Sequence, residues 1–153
     1  MPLTLAFPTP VGHHENLDNA ICEKAAIDVL KIVADPKEDN ISHGRLGDCT
    51  GDDLHTRKEF QDVVSMIEPY IESFVDEVLG IEPSDLKMTA MWSNTHNSGS
   101  MHPPHKHPNS FLSAVLYVQT DPDAESSGDI YFSSPAPGQE AWLPDFKRDS
   151  CIS

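Results

Sequence analysis

The sequence predicts an α+β fold with a mainly β core, its helices in the first half and its strands in the second. Three observations carry this. Apolar residues recur at helical spacing around Ile21 to Val33 and again from Phe60 to Val78. After Pro83 they alternate instead, in "LKMTAMW" at 86–92, with Leu86, Met88, Ala90 and Trp92 on one face. A near-continuous β-rich run, "FLSAVLYV" at 111–118, reads as a strand covered on both faces. Helices first and strands later is the α+β arrangement.

The elements follow in order. "MPLTLAFPTP" mixes apolar residues with Pro and Thr and suits an extended segment or edge strand. Asn16 or Asp18 can cap a first helix whose stripe is Ile21, Ala25, Val29 and Ile32/Val33. Pro36 ends it, because proline disfavours helix at the residue before it. Residues 40–55, with Gly44, Gly47 and Gly51, read as a loop. Thr56 to Glu59 form a capping box for a second helix with the stripe Phe60, Val63/Val64, Ile67, Ile71, Phe74/Val75 and Val78. Gly80 suits the C′ position, and Pro69 is expected to kink or divide the helix. Asp121 to Gly128 form a polar turn before a short third strand, "DIYF" at 129–132, and "WLPDFKRDSCIS" has no clear period. The organisation expected is a single domain, 1–153. An extended segment and helices occupy 1–83, the strands that carry the site 84–135, and a tail 136–153.

Acidic residues outnumber basic ones 25 to 10, for a formal net charge of -15. That excess repels phosphate backbones and anionic lipid, so neither nucleic acid nor a membrane is expected as a partner. No apolar run approaches the roughly 18 residues of a membrane span, and the N-terminus lacks the basic start of a signal peptide. A soluble cytoplasmic protein is expected. Cys22, Cys49 and Cys151 form no CxxC pair, which argues for idle thiols over disulfides or a cysteine zinc site. The sequence does not reveal the oligomeric state.

The chemistry concentrates in "NTHNSGSMHPPHKHP" at 94–108, which holds four of the eight histidines. His105 and His107 stand two apart, so in an extended chain both imidazoles leave one face and can converge on a metal at roughly 2.1 Å. Pro103, Pro104 and Pro108 stiffen the approach. His102 is an odd number of residues from His105, and in a regular strand it would face away. His13, His14, His43 and His55 read as ordinary surface residues.

At these residues the sequence resembles the iron(II)/2-oxoglutarate-dependent oxygenases, in particular a small branch common in marine bacteria and their phages. The resemblance rests on Phe7 to Val11, Trp92, Gly99, "HKHPNSFLSAVLYV" at 105–118, Ser127-Gly128, "DIYF" and Pro135. It implies a partial double-stranded β-helix, or jelly roll, preceded by two N-terminal helices. It also implies a dioxygenase (hydroxylase) that uses Fe(II), 2-oxoglutarate and O2 on a substrate the sequence does not identify. The superfamily often shows N-x-Y-x-x-G-x5-H-x-D, and Asn94, His96, Gly99, His105 and His107 fall on its marked positions. By that resemblance Asn94, and His96 in the tyrosine place, contact 2-oxoglutarate. His105 is the first iron ligand, and His107 occupies the carboxylate position.

The pattern departs from the superfamily in two places. The usual facial triad is two histidines and one carboxylate, and here a histidine stands in the carboxylate slot, with Asp121, Asp123 or Glu125 as conceivable oxygen donors. A distal histidine followed by a basic residue is expected late in the chain. No histidine follows Trp142, and Lys147 and Arg148 are the only late basic residues. The expectation is therefore a truncated or diverged tail. Two alternatives stand beside the oxygenase: an inactive remnant of its fold, and a cupin-like metal-binding protein. The latter shares G-x5-H-x-H but would want a glutamate where Phe111 or Leu112 stands.

Overall fold

The computed structural model describes residues 9–42, 47–121 and 128–133. It comprises two compact units, Met1–Met101 and His102–Ser153. The first holds two helices and a small antiparallel sheet, an α+β arrangement.

Helix α1 spans Asn19–Ala34. Asp18 is its N-cap, accepting from the Ala20 and Ile21 N–H groups at 2.9 and 3.2 Å, a cap worth about 0.5–2 kcal/mol. The helix stops where Pro36 demands: Asp35 has left helical geometry (φ -85°, ψ 115°) and its N–H donates to the Ile32 carbonyl. The buried stripe is Cys22, Ala25 and Val29.

Helix α2 spans Gln61–Ser73 and runs on through a wider π-type segment, Phe74–Leu79. Of the kink or division expected at Pro69, a division does not occur: Pro69 lies inside one continuous α2. Its ring is on the exposed side, so the helix forgoes one backbone hydrogen bond and keeps its buried contacts. Gly80 closes the helix in the left-handed region (φ 65°, ψ 34°), its N–H donating to Asp76 and that of Ile81 to Val75, both at 3.1 Å. A side chain at that φ is strained, which is why glycine suits the position.

The capping box does not form. Leu54–Thr56 and Lys58–Phe60 are separate 3₁₀ turns, split by an extended Arg57 (φ -80°, ψ 139°). Arg57 is held there by Glu38 at 2.8 Å and by both oxygens of Asp53 at 3.1 and 3.2 Å. Thr56 instead donates its hydroxyl to the Asp53 carbonyl at 2.8 Å. α1 packs against α2 and the turn before it, and Lys24 bridges to the Glu59 carbonyl at 2.9 Å. Leu54, Phe60, Val63 and Val75 join the α1 stripe in the core, each full burial of such a side chain contributing about 1.5–3 kcal/mol.

The expected loop 40–55 supplies two of the three strands. β1 (Ile41–Ser42), β2 (Asp48–Cys49) and β3 (Asn94–Thr95) form one antiparallel sheet in that order. Ile41 pairs with Cys49, and Cys49 in turn with Asn94. Gly47 makes this possible: at φ +92° a β-carbon there would overlap the Thr95 carbonyl oxygen, so only glycine lets the backbones meet. Leu86 and Met88 are half-buried as the alternation predicts. The phase then slips, because Met91 exchanges backbone hydrogen bonds with Asp52 and Leu54 at 2.9 and 3.0 Å, leaving Ala90 exposed.

In the second unit, residues 111–118 and 129–132 carry no strand ladder among the described residues. Phe111, Val115, Tyr117, Ile130, Tyr131 and Phe132 are exposed. The strands expected there are not seen among the described residues. A strand is a property of a pair, and although Gly128 lies against the Tyr117 ring, no ladder joins the two runs among the described residues. The residue side still alternates in part, with Leu112, Leu116 and Val118 half-buried. Phe7, Asp123, Glu125, Pro135, Lys147, Arg148, Cys151 and the tail 136–153 lie outside the described residues.

Candidate functional site

The stretch from Ser93 to His107 is built by three local devices. The first is the clip that fixes its start. Thr50, 3 % exposed, donates its N–H to the Ser93 carbonyl and accepts the Ser93 N–H on its hydroxyl, both at 3.0 Å. That hydroxyl in turn donates to the Gly51 carbonyl at 3.0 Å. β3 follows at once, and its alternation leaves Asn94 and His96 on the exposed side with Thr95 half-buried. Sequence reading missed Thr50, which shows no motif. Its only signal is a threonine between glycines in a loop that the strand needs as a partner.

The second device is a turn at Asn97 to Ser100. The Ser100 N–H donates to the Asn97 carbonyl at 2.9 Å, and the Ser100 hydroxyl accepts the Asn97 N–H at 3.2 Å. Gly99 takes the position with φ +82°, which accounts for the glycine in the motif.

The third lies in the second unit. His107, Pro108, Asn109 and Ser110 form a turn with proline at its second position and Asn109 at φ 67° in its third, the Ser110 N–H donating to the His107 carbonyl at 3.3 Å. Ahead of that corner the imidazoles gather. The His105 and His107 rings have centroids 4.8 Å apart and Nε2 atoms 2.9 Å apart. His105 Nδ1 lies 2.9 Å from the Pro103 carbonyl. A carbonyl only accepts, so His105 Nδ1 carries the proton, and in the neutral ring Nε2 is left with its lone pair. This is the tautomer a metal-bound histidine adopts when a carbonyl steadies its other nitrogen.

The donor set can be tested against a metal on these distances. Two ligands at right angles on an ion, each at roughly 2.1 Å, stand roughly 3.0 Å apart. The 2.9 Å between the two Nε2 atoms fits that edge. No group of three or more His, Cys, Asp or Glu side chains in metal-holding geometry occurs among the described residues. The spacing of the pair has room for two adjacent ligands of one ion.

His102 does not face away as the strand argument expects: its ring centroid is 5.2 Å from that of His105. Pro103 and Pro104 impose the reason. Their fixed φ, and the restraint on the residues before them, favour a polyproline-type path with three residues per turn rather than two. Residues three apart then share a side. His14 is exposed, as expected, with its ring tilted at 47° against Tyr70 and centroids 4.5 Å apart.

The first unit also has a cleft of about 360 Å³ lined by Asp39, Ile41, Cys49, Thr50, Gly51, Asp52 and Trp92. Two carboxylates at its wall make it a poor receptacle for a dicarboxylate such as 2-oxoglutarate. Burial pushes the Cys49 thiol up, and burial and then Asp18 do the same for Cys22. Both stay protonated thiols and poor nucleophiles, in keeping with the idle role expected from sequence.

Residues 90–149 match a family model described as "Putative 2OG-Fe(II) oxygenase". The matched stretch takes in Asn94, His96, His102, His105 and His107, and it supports the 2OG-Fe(II) oxygenase superfamily. No curated protein and no solved structure matches the chain.

Proposed function

We propose, from the match of residues 90–149 to a 2OG-Fe(II) oxygenase family model, that the chain is an Fe(II)/2-oxoglutarate-dependent dioxygenase acting as a hydroxylase. The single observation that carries this is the His105–His107 pair, whose nitrogen separation suits two adjacent ligands of one ion. His105 and His107 would hold the iron. Bound iron and 2-oxoglutarate supply the oxidising power that turns a C–H bond and O2 into an alcohol, with the co-substrate decarboxylated to succinate.

The chain's own residues bind and orient. The Pro103 carbonyl fixes the His105 ring and its tautomer, so that Nε2 would offer its lone pair to a bound ion with no proton to lose. His107 Nε2 donates to His105 Nε2. To ligate through that atom it moves the proton to Nδ1. Asn94 and His96, on the exposed side of β3, would offer an amide and an imidazole to the co-substrate. The jelly-roll fold and the cytoplasmic location belong to the same proposal. So does the replacement of the family's carboxylate ligand by His107.

Calorimetric titration with Fe(II), Co(II) and Zn(II) tests the site. The wild-type chain binds, and the double variant His105→Ala/His107→Ala does not. Equal affinity in the two proteins sinks the assignment. Succinate formed from 2-oxoglutarate without a prime substrate tests the reaction. If metal binds but no succinate rises above a metal-free control, the cupin-like or remnant reading replaces the enzyme.

A further inference from the structure

We propose that the cleft of about 360 Å³ in the first unit binds the cationic group of the substrate, an alkylammonium or guanidinium of side-chain size. The role toward a substrate rests on the reading of Asn94 as a co-substrate contact, whereas the binding of the cation does not.

Sheet register places the cleft. Residues directly opposite each other in an antiparallel pair leave the same face of the sheet. Ile41 pairs with Cys49 and Cys49 with Asn94, so the three side chains form one row across β1, β2 and β3. Ile41 and Cys49 line the cleft. Trp92 lines it too, and it stands two residues before Asn94, where an extended chain puts a side chain on the same side. The cleft thus belongs to the face of the sheet on which Asn94 stands exposed.

The chemistry of the wall selects the ligand. Ile41, Trp92 and the Cys49 thiol, which burial keeps protonated, offer apolar surface to an alkyl stem. An indole is also the side chain that attracts an organic cation most strongly. The charges in the lining are those of Asp39 and Asp52, both negative. Among the described residues neither carboxylate is held in an ion pair, while Arg57 is committed to Glu38 and Asp53. The volume lies at the lower end of the roughly 300–1,000 Å³ of small-molecule pockets, enough for one side-chain-sized group. Two like charges on the wall repel 2-oxoglutarate, so substrate and co-substrate do not compete for the cleft.

The test is proton–nitrogen NMR of the full chain titrated with butylammonium, butylguanidinium, butanol and butyrate. The two cations are expected to shift the Gly51 and Asp52 backbone amides and the Asn94 side-chain amide to saturation. Butanol binds more weakly, and butyrate does not bind. Asp39→Asn/Asp52→Asn is expected to lower butylammonium affinity about 3- to 30-fold, the worth of two exposed ion pairs. Asp39→Glu/Asp52→Glu keeps it, and the spectra themselves report that both variants stay folded. Equal binding of butanol and butylammonium, or an unchanged affinity in the asparagine variant, overturns the inference. Shifts at Gly51 and Asp52 that leave Asn94 unmoved overturn the substrate role. A lysine tripeptide with blocked ends that binds more tightly than butylammonium assigns the group to a polypeptide, and weaker binding assigns it to a free amine. Cation binding without succinate formation sinks the oxygenase reading and leaves the cleft assigned. Succinate formation without cation binding sinks this inference alone.

Discussion

Thr50 and Ser93 hold each other twice, through N–H to carbonyl and N–H to hydroxyl contacts of 3.0 Å each. The clip joins the glycine-containing loop to the strand that carries Asn94, across 43 residues of sequence.

Replacing Thr50 by valine keeps the shape and deletes the acceptor, leaving the Ser93 N–H half-buried and unpaired. The cost is about 1–3 kcal/mol. Thr50→Ser keeps the hydroxyl and loses only the buried methyl, about 1 kcal/mol. Urea denaturation of both variants separates the hydrogen bond from the packing. Equal losses refute the clip.

Gly47→Ala forces a side chain into the left-handed region, at about 1–2 kcal/mol, and drives its β-carbon into the Thr95 carbonyl. The expected outcome is a lower denaturation midpoint and faster amide exchange at Thr95. Wild-type exchange there would show that β2 and β3 do not depend on this close approach.

Pro69→Ala restores an N–H to the interior of α2 at an exposed position. It is expected to stabilise the protein by up to about 3 kcal/mol, the propensity gap between the two residues. A thermal melt checks the sign, and a drop in the midpoint would mean that the ring makes packing contacts worth more than the hydrogen bond.

Asp28 accepts a hydrogen bond from Lys31 at 2.7 Å, and that bond is the main reason its carboxyl titrates below the usual range. Burial opposes the shift, and the charges of Lys31 and Lys24 add to it. A depressed folded value means that the contribution is fully present above the unfolded-state value, about pH 4. It is lost as pH falls through the lower folded value. Asp28→Asn is therefore expected to lower the urea midpoint at pH 7 and to converge with wild type near pH 2. A constant gap across that range contradicts the linkage.

The helices were legible because their signals are local. Asp18 and Pro36 bracket α1, and Gly80 closes the helical run, each by chemistry within a few residues. The capping box misled because Thr56 and Glu59 have the right letters, yet Arg57 between them is held extended by Glu38, which is distant in sequence. The sheet was missed for a similar reason. A pairing such as Cys49 with Asn94 depends on Gly47 allowing one backbone to touch another, and no periodicity reports that. Within the candidate site, the nearness of His105 and His107 follows from their spacing. The placement of His102 does not, because two prolines turn a two-residue period into a three-residue one.

The His105–His107 corner has a kinetic meaning. His105 reaches Pro103 on one side and His107 on the other, each only two residues away. Closing so short a stretch of chain takes tens of nanoseconds or less, and it asks nothing of the sheet or the helices. Asn94 is different, since its placement waits on the pairing of β3 with β2 and on the distant clip at Thr50. During folding, the two imidazoles can thus meet within their own turn from the earliest moments, while β3 waits on pairing with distant sequence and is among the last features to arrive.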